Sequence, residues 1–202
     1  MFTRREFMRR MLALGLTSAG AASWRGGSAL ATATQADQPT PSADAAYLAV
    51  AHGDDPAEIT RRAIKALGGM EYFVSQGQSV LIKPNICVAY HGPDYAATTN
   101  PQVVAALVTM AIEAGASSVQ VMDHPFGGTA QQAYKISEIG DAVTAAGGQM
   151  VIMSALKFRD TGIPEGKSIK KWIVYQDALK ADVIIDVPIA KTHSLARLTL
   201  AA

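Results

Sequence analysis

The sequence predicts an α/β domain, a mostly parallel, doubly wound (Rossmann-like) sheet with helices on both faces. Strand-like apolar runs alternate with segments of helical periodicity, as in successive βαβ units. The runs are almost continuously apolar, which suits strands covered on both faces. Three of them end in polar clusters. Val80-Leu81-Ile82 ends in Lys83-Pro84-Asn85, and Val119-Gln120-Val121-Met122 in Asp123-His124-Pro125. Val183-Ile184-Ile185-Asp186-Val187-Pro188 leads, after Ile189-Ala190, to Lys191-Thr192-His193. Neighbouring parallel strands would bring the three clusters to one crevice at the carboxyl edge of the sheet, where open α/β sheets bind ligands.

Residues 1–31 read as a twin-arginine signal peptide. Thr3-Arg4-Arg5-Glu6-Phe7-Met8 carries the paired arginines, an apolar stretch covers residues 11–22, and Ala29-Leu30-Ala31 is a small-x-small cleavage site. The apolar stretch falls short of the roughly 18 residues that span a bilayer. The expected partner is the twin-arginine translocase, the expected location periplasmic or otherwise extracytoplasmic, and no stable membrane span is expected after cleavage. Residues 32–46, rich in Ala, Thr, Gln, Ser and Pro, read as a flexible linker.

The domain itself is expected over residues 47–202. Tyr47-Leu48-Ala49-Val50 predicts a short first strand. Asp55-Pro56-Ala57-Glu58 has the cap, first-turn proline and acid of a helix start. Ile59, Ala63, Ile64 and Leu67 recur at helical spacing before Gly68-Gly69. Residues 70–74 suggest a further turn and residues 79–83 a strand. Asn100-Pro101 caps a helix over residues 101–114, with Val104, Leu107, Val108, Ala111 and Ile112 as its apolar stripe. A strand at 118–122, a helical stretch at 129–146 broken near Gly140, and a strand at 149–153 follow. Residues 158–167 read as an irregular loop, 173–175 as a strand, 176–179 as a helical turn and 183–187 as the last strand. The run from Ser194 to Ala202 begins an apolar element without a stop signal, so the chain reads as C-terminally truncated.

Composition narrows the function. Residues 1–31 hold five Arg and one Glu of the chain's 18 basic and 17 acidic residues, leaving 13 basic and 16 acidic, a formal charge of −3. A mildly acidic domain lacks the basic face that nucleic acid requires. Lys167, Lys170 and Lys171 form the one basic cluster and read as a solvated strand edge. The single cysteine, Cys87, cannot supply the roughly four thiolates of an iron–sulfur cluster, so none is expected from this chain alone. It reads as a small buried apolar residue.

The crevice residues suggest two chemistries. Lys83 and Lys191 would present ammonium groups to a small anionic ligand, and either could serve in catalysis as a base or imine former. Gly127-Gly128-Thr129, leading into a helix, would add backbone donors. Asn85, His124 and Thr192 would line the same site. His193, oriented by Asp123, is the acid/base candidate. Alternatively His91, Asp123, His124 and His193 make an oxygen–nitrogen metal set, though without a zinc-type spacing. Asp186, inside an apolar strand, requires a partner if buried.

The ordered motifs also carry a family resemblance. Val80-Leu81-Ile82-Lys83-Pro84-Asn85, Thr98-Thr99-Asn100-Pro101-Gln102-Val103-Val104, Glu113-Ala114-Gly115-Ala116, Asp123-His124-Pro125 and residues 182–193 resemble the domain-of-unknown-function family 362. The resemblance implies an α/β domain that usually continues further, with a Lys-Asn pair and, in many relatives, a ferredoxin-like cysteine cluster that this sequence lacks. His124 stands where many relatives have a small residue. The expectation is thus an exported α/β domain that binds, and could transform, a small anionic ligand. The alternatives are a non-catalytic metal or cofactor module serving a redox partner, or an inactive fragment.

Overall fold

The computed structural model describes residues 48–200. Residues 1–47, which hold the expected signal peptide and linker, and Ala201-Ala202 lie outside the described residues. Helix α1 (Pro56–Ala66) begins as expected, with the Asp55 carboxylate accepting the Ala57 and Glu58 amides. Strand β1 (Ser79–Pro84) is followed by a long loop and helix α2 (Pro101–Glu113), capped by the Asn100 side chain on the Gln102 amide. Strand β2 (Ser118–Val121), helices α3 (Ala130–Ile136) and α4 (Ile139–Ala145), and a short strand β3 (Gln149–Met150) complete the first half. An antiparallel hairpin, β4 (Phe158–Gly162) with β5 (Lys171–Tyr175), runs into helix α5 (Gln176–Lys180) and strand β6 (Val183–Val187). A small hairpin, β7 (Lys191–His193) with β8 (Arg197–Thr199), ends the described chain.

The main sheet is parallel and ordered β3-β2-β1-β6. Strand alternation sends Val80, Ile82, Val119 and Val121 to one face, where they pack with Val104, Val108, Ile139 and Val143 of α2 and α4. Full burial of such a side chain is worth about 1.5–3 kcal/mol. Leu81 and Met122 point to the other face and pack with Tyr175, Ala178 of α5 and Phe158 of the hairpin. The connections from β1 through β3 therefore lie on one face, and the return to β6 lies on the other. Winding reverses beside β1, which puts the switch point at the carboxyl ends of β1 and its neighbours.

Several expectations change. Residues 48–50 form no strand, and Leu48 and Val50 are 72% and 86% exposed, so no neighbouring edge holds them extended. The helical break falls at Glu138, whose φ of 61° is left-handed, rather than at Gly140. The loop expected from Phe158 begins as strand β4, which its register with β5 stabilises although Arg159, Asp160 and Thr161 carry no apolar pattern. Asp186 is exposed on β6, so it needs no buried partner. Among the described residues no helix is long and apolar enough to cross a membrane.

Candidate functional site

Lys83 and Asp123 meet at the carboxyl ends of β1 and β2. Lys83 lies on the opposite face of β1 from Ile82 and Pro84, and its ammonium stands 3.4 Å from Asp123 Oδ1 and 3.3 Å from the Pro84 carbonyl. The Asp123 side chain is only 12% exposed, against 50% for Lys83, and its Oδ2 accepts the Ile86 amide at 2.7 Å. The carboxylate is thus fixed to the loop after β1, whereas the ammonium reaches solvent on long contacts. Tyr134 of α3 holds the Asp123 backbone, its single hydroxyl proton shared between the Asp123 carbonyl at 2.7 Å and the Val151 carbonyl at 3.1 Å. Burial pushes the Tyr134 phenol up, which keeps it a proton donor.

The pair borders a cavity of about 480 Å³ between the sheet and the hairpin. Lys83, Asp123 and His124 form its polar end. Leu81, Met122 and Ile184 of the sheet floor it, and Met153, Phe158, Tyr175 and Ala178 close it over. The volume lies in the range of small-molecule sites, which are mostly apolar with a few placed polar groups. Lys157 of the hairpin approach pairs with Asp177 of α5 at 2.7 Å, fixing the roof. That hydrogen bond raises the Lys157 ammonium above its ordinary value.

Lys191 does not join Lys83. Its ammonium donates to Asn85 Oδ1 at 3.0 Å, to Cys87 Sγ at 3.2 Å and to the Ala97 carbonyl. An ammonium has three donors, and all three have acceptors inside the chain. The expected two-lysine anion clamp is therefore replaced by one exposed lysine and one strap lysine. Asn85 serves the strap as well, accepting from both Lys191 and the Cys87 thiol, the latter at 2.9 Å. Cys87 is accordingly a half-buried polar contact at a left-handed φ of 51°, not the apolar core residue expected.

The remaining sequence candidates fall elsewhere. His193 Nδ1 accepts the Leu195 and Ala196 amides, both at 3.1 Å, closing the β7–β8 turn. No ion pair or hydrogen bond joins it to Asp123 among the described residues, so the expected acid/base pair is not assembled. Thr192 is exposed on β7, paired with Leu198. His91 stacks on Tyr95, ring centroids 3.8 Å apart. Among the described residues no group of three or more His, Cys, Asp or Glu could hold a metal ion, so His91, Asp123, His124 and His193 are not brought together as a ligand set.

Gly127 and Gly128 pack against the chain itself. The Ala89 amide donates to the Gly127 carbonyl at 2.8 Å, and a Cβ on Gly127 would lie 2.8 Å from Val88 Cγ1. Gly128 has φ +82° and its Cβ would lie 2.7 Å from Ala89 Cβ. These glycines let the two crevice loops zip together. Thr129 forms a reciprocal capping box with Gln132, which satisfies donors expected to face a ligand. Sequence reasoning missed the cavity walls Met153, Phe158 and Tyr175. The aromatic and β-branched run Trp172-Ile173-Val174-Tyr175 was the available signal for the hairpin.

Fold and site together define a doubly wound α/β protein with a cleft at the carboxyl edge of its parallel sheet. Residues 80–202 match the model of the Domain of unknown function family DUF362, and the chain belongs to that family. It is also similar to a thylakoid-associated protein of Synechocystis sp., 29% identical over 146 residues, covering 69% of this chain and 42% of that protein. The chain thus spans about two fifths of the length of this curated relative. No solved structure matches.

Proposed function

We propose that the domain binds a small anionic ligand at the carboxyl edge of its sheet, with Lys83 as the anchoring cation and His124 beside it. The observation that carries this reading is the half-exposed Lys83 ammonium at the cavity mouth, whose one carboxylate partner among the described residues is 3.4 Å away and already held by Ile86. An entering carboxylate or phosphate can shorten these contacts to a charge-assisted hydrogen bond. Asp123 positions the loop and keeps Lys83 over the cavity. The order of charged, apolar and cleavage segments in residues 1–31 supports delivery by the twin-arginine translocase to the periplasm. The test is calorimetric titration of the full chain with inorganic phosphate and acetate. Binding that Lys83→Met abolishes and Lys191→Met retains supports the reading. Binding indifferent to Lys83, or none, contradicts it.

A further inference from the structure

The walls behind Lys83 suggest what the anion is attached to. This inference rests on the anion reading above and deepens it. Leu81 sits two residues before Lys83 on the same face of β1, and Ile184 pairs with Leu81 across the β1–β6 register. Met122 immediately precedes Asp123. The three place an apolar floor directly inward of the polar mouth. Met153 and Phe158 face it from the return connection. Ile184 is still 53% exposed, so this part of the floor is not consumed by packing within the described chain. Leu81 and Met122 are 4% and 2% exposed, so a bare phosphate or acetate at the mouth would leave Ile184 as the part of the floor in contact with water.

We infer that the cleft takes an amphiphilic monoanion, a carboxylate head at Lys83 carrying an aliphatic body over Leu81, Met122 and Ile184. The thioethers suit such a body because they adapt to flexible apolar shapes. Charge complementarity fixes its direction, since among the described lining residues the one cation is Lys83 at the polar end.

Calorimetric titration of the full chain with acetate, hexanoate and decanoate, alongside decan-1-ol and inorganic phosphate, tests this. Each buried methylene should tighten binding about fourfold, so decanoate, with four more methylenes, should bind roughly 250-fold more tightly than hexanoate. Ile184→Ala should reduce that gain per methylene, while Lys83→Met should weaken every carboxylate. Binding that depends on Lys83 but not on chain length overturns the amphiphile and leaves the anion reading standing. Decan-1-ol binding as tightly as decanoate overturns the charged head, and no binding by any probe overturns both.

Discussion

The Lys191 ammonium donates to the Asn85 carboxamide across 106 residues of sequence, at 3.0 Å. The same group bonds Cys87 and Ala97, so one side chain ties the segment after β6 to both ends of the loop after β1. Removing it takes the Lys191 donor from the Ala97 carbonyl and leaves the Asn85 oxygen with the Cys87 thiol. Lys191→Met should cost about 1–3 kcal/mol in urea unfolding, whereas Lys83→Met, with its long exposed contacts, should cost less than about 1 kcal/mol. Equal losses would remove the distinction between strap and ligand lysine.

The loop zipper makes a second prediction. Gly127→Ala and Gly128→Ala should each destabilise by about 1–3 kcal/mol, through the clash with Val88 and, at Gly128, with Ala89 plus the left-handed backbone. Gly162→Ala meets nothing within 4 Å and should stay within about 0.5 kcal/mol of the parent. Thermal melting of the three variants distinguishes the sites.

Asp182 links the entries to β1 and β6, its Oδ2 accepting the Ser79 hydroxyl at 2.6 Å and the Ser79 amide at 2.8 Å. The hydroxyl bond first, and the amide second, hold its carboxyl below the ordinary value of 3.8. A depressed folded-state value contributes stability that is full above the unfolded value and is lost as pH falls through the folded one. The parent should therefore exceed Asp182→Asn in chemical-denaturation stability at neutral pH. The gap should close only in acid, below 3.8. A gap unchanged by acid would show that the charge contributes nothing.

The proposed export is tested by replacing Arg4 and Arg5 with lysine. The double variant should accumulate as uncleaved chain in the cytoplasm, with the periplasmic form of the parent missing on fractionation. Unchanged export by the double variant would contradict the twin-arginine reading.

Much of the fold was legible because its signals are local. Asp55 and Asn100 cap their helices by contacts two or three residues away, and β1, β2 and β6 are contiguous apolar runs. The meeting of Lys83 with Asp123 followed from parallel strands ending at one edge. What escaped was set by distant pairing. Strand β4 has a polar sequence and exists through its register with β5. The identical charges of Lys83 and Lys191 gave no hint that one faces solvent and the other spans to Asn85. His193 resembles a catalytic base in sequence, yet its ring nitrogen is used by the turn that follows it.

Methionine methyls provide the most direct test of the cleft. Met122 and Met153 line it, whereas Met70 and Met110 are buried in the core on the opposite face of the sheet. In ¹³C-methyl-methionine NMR of the full chain titrated with decanoate, the Met122 and Met153 resonances should shift saturably, Met70 and Met110 should not, and Lys83→Met should weaken the response. Met122 and Met153 signals that stay fixed at saturating decanoate would contradict a ligand site at Lys83.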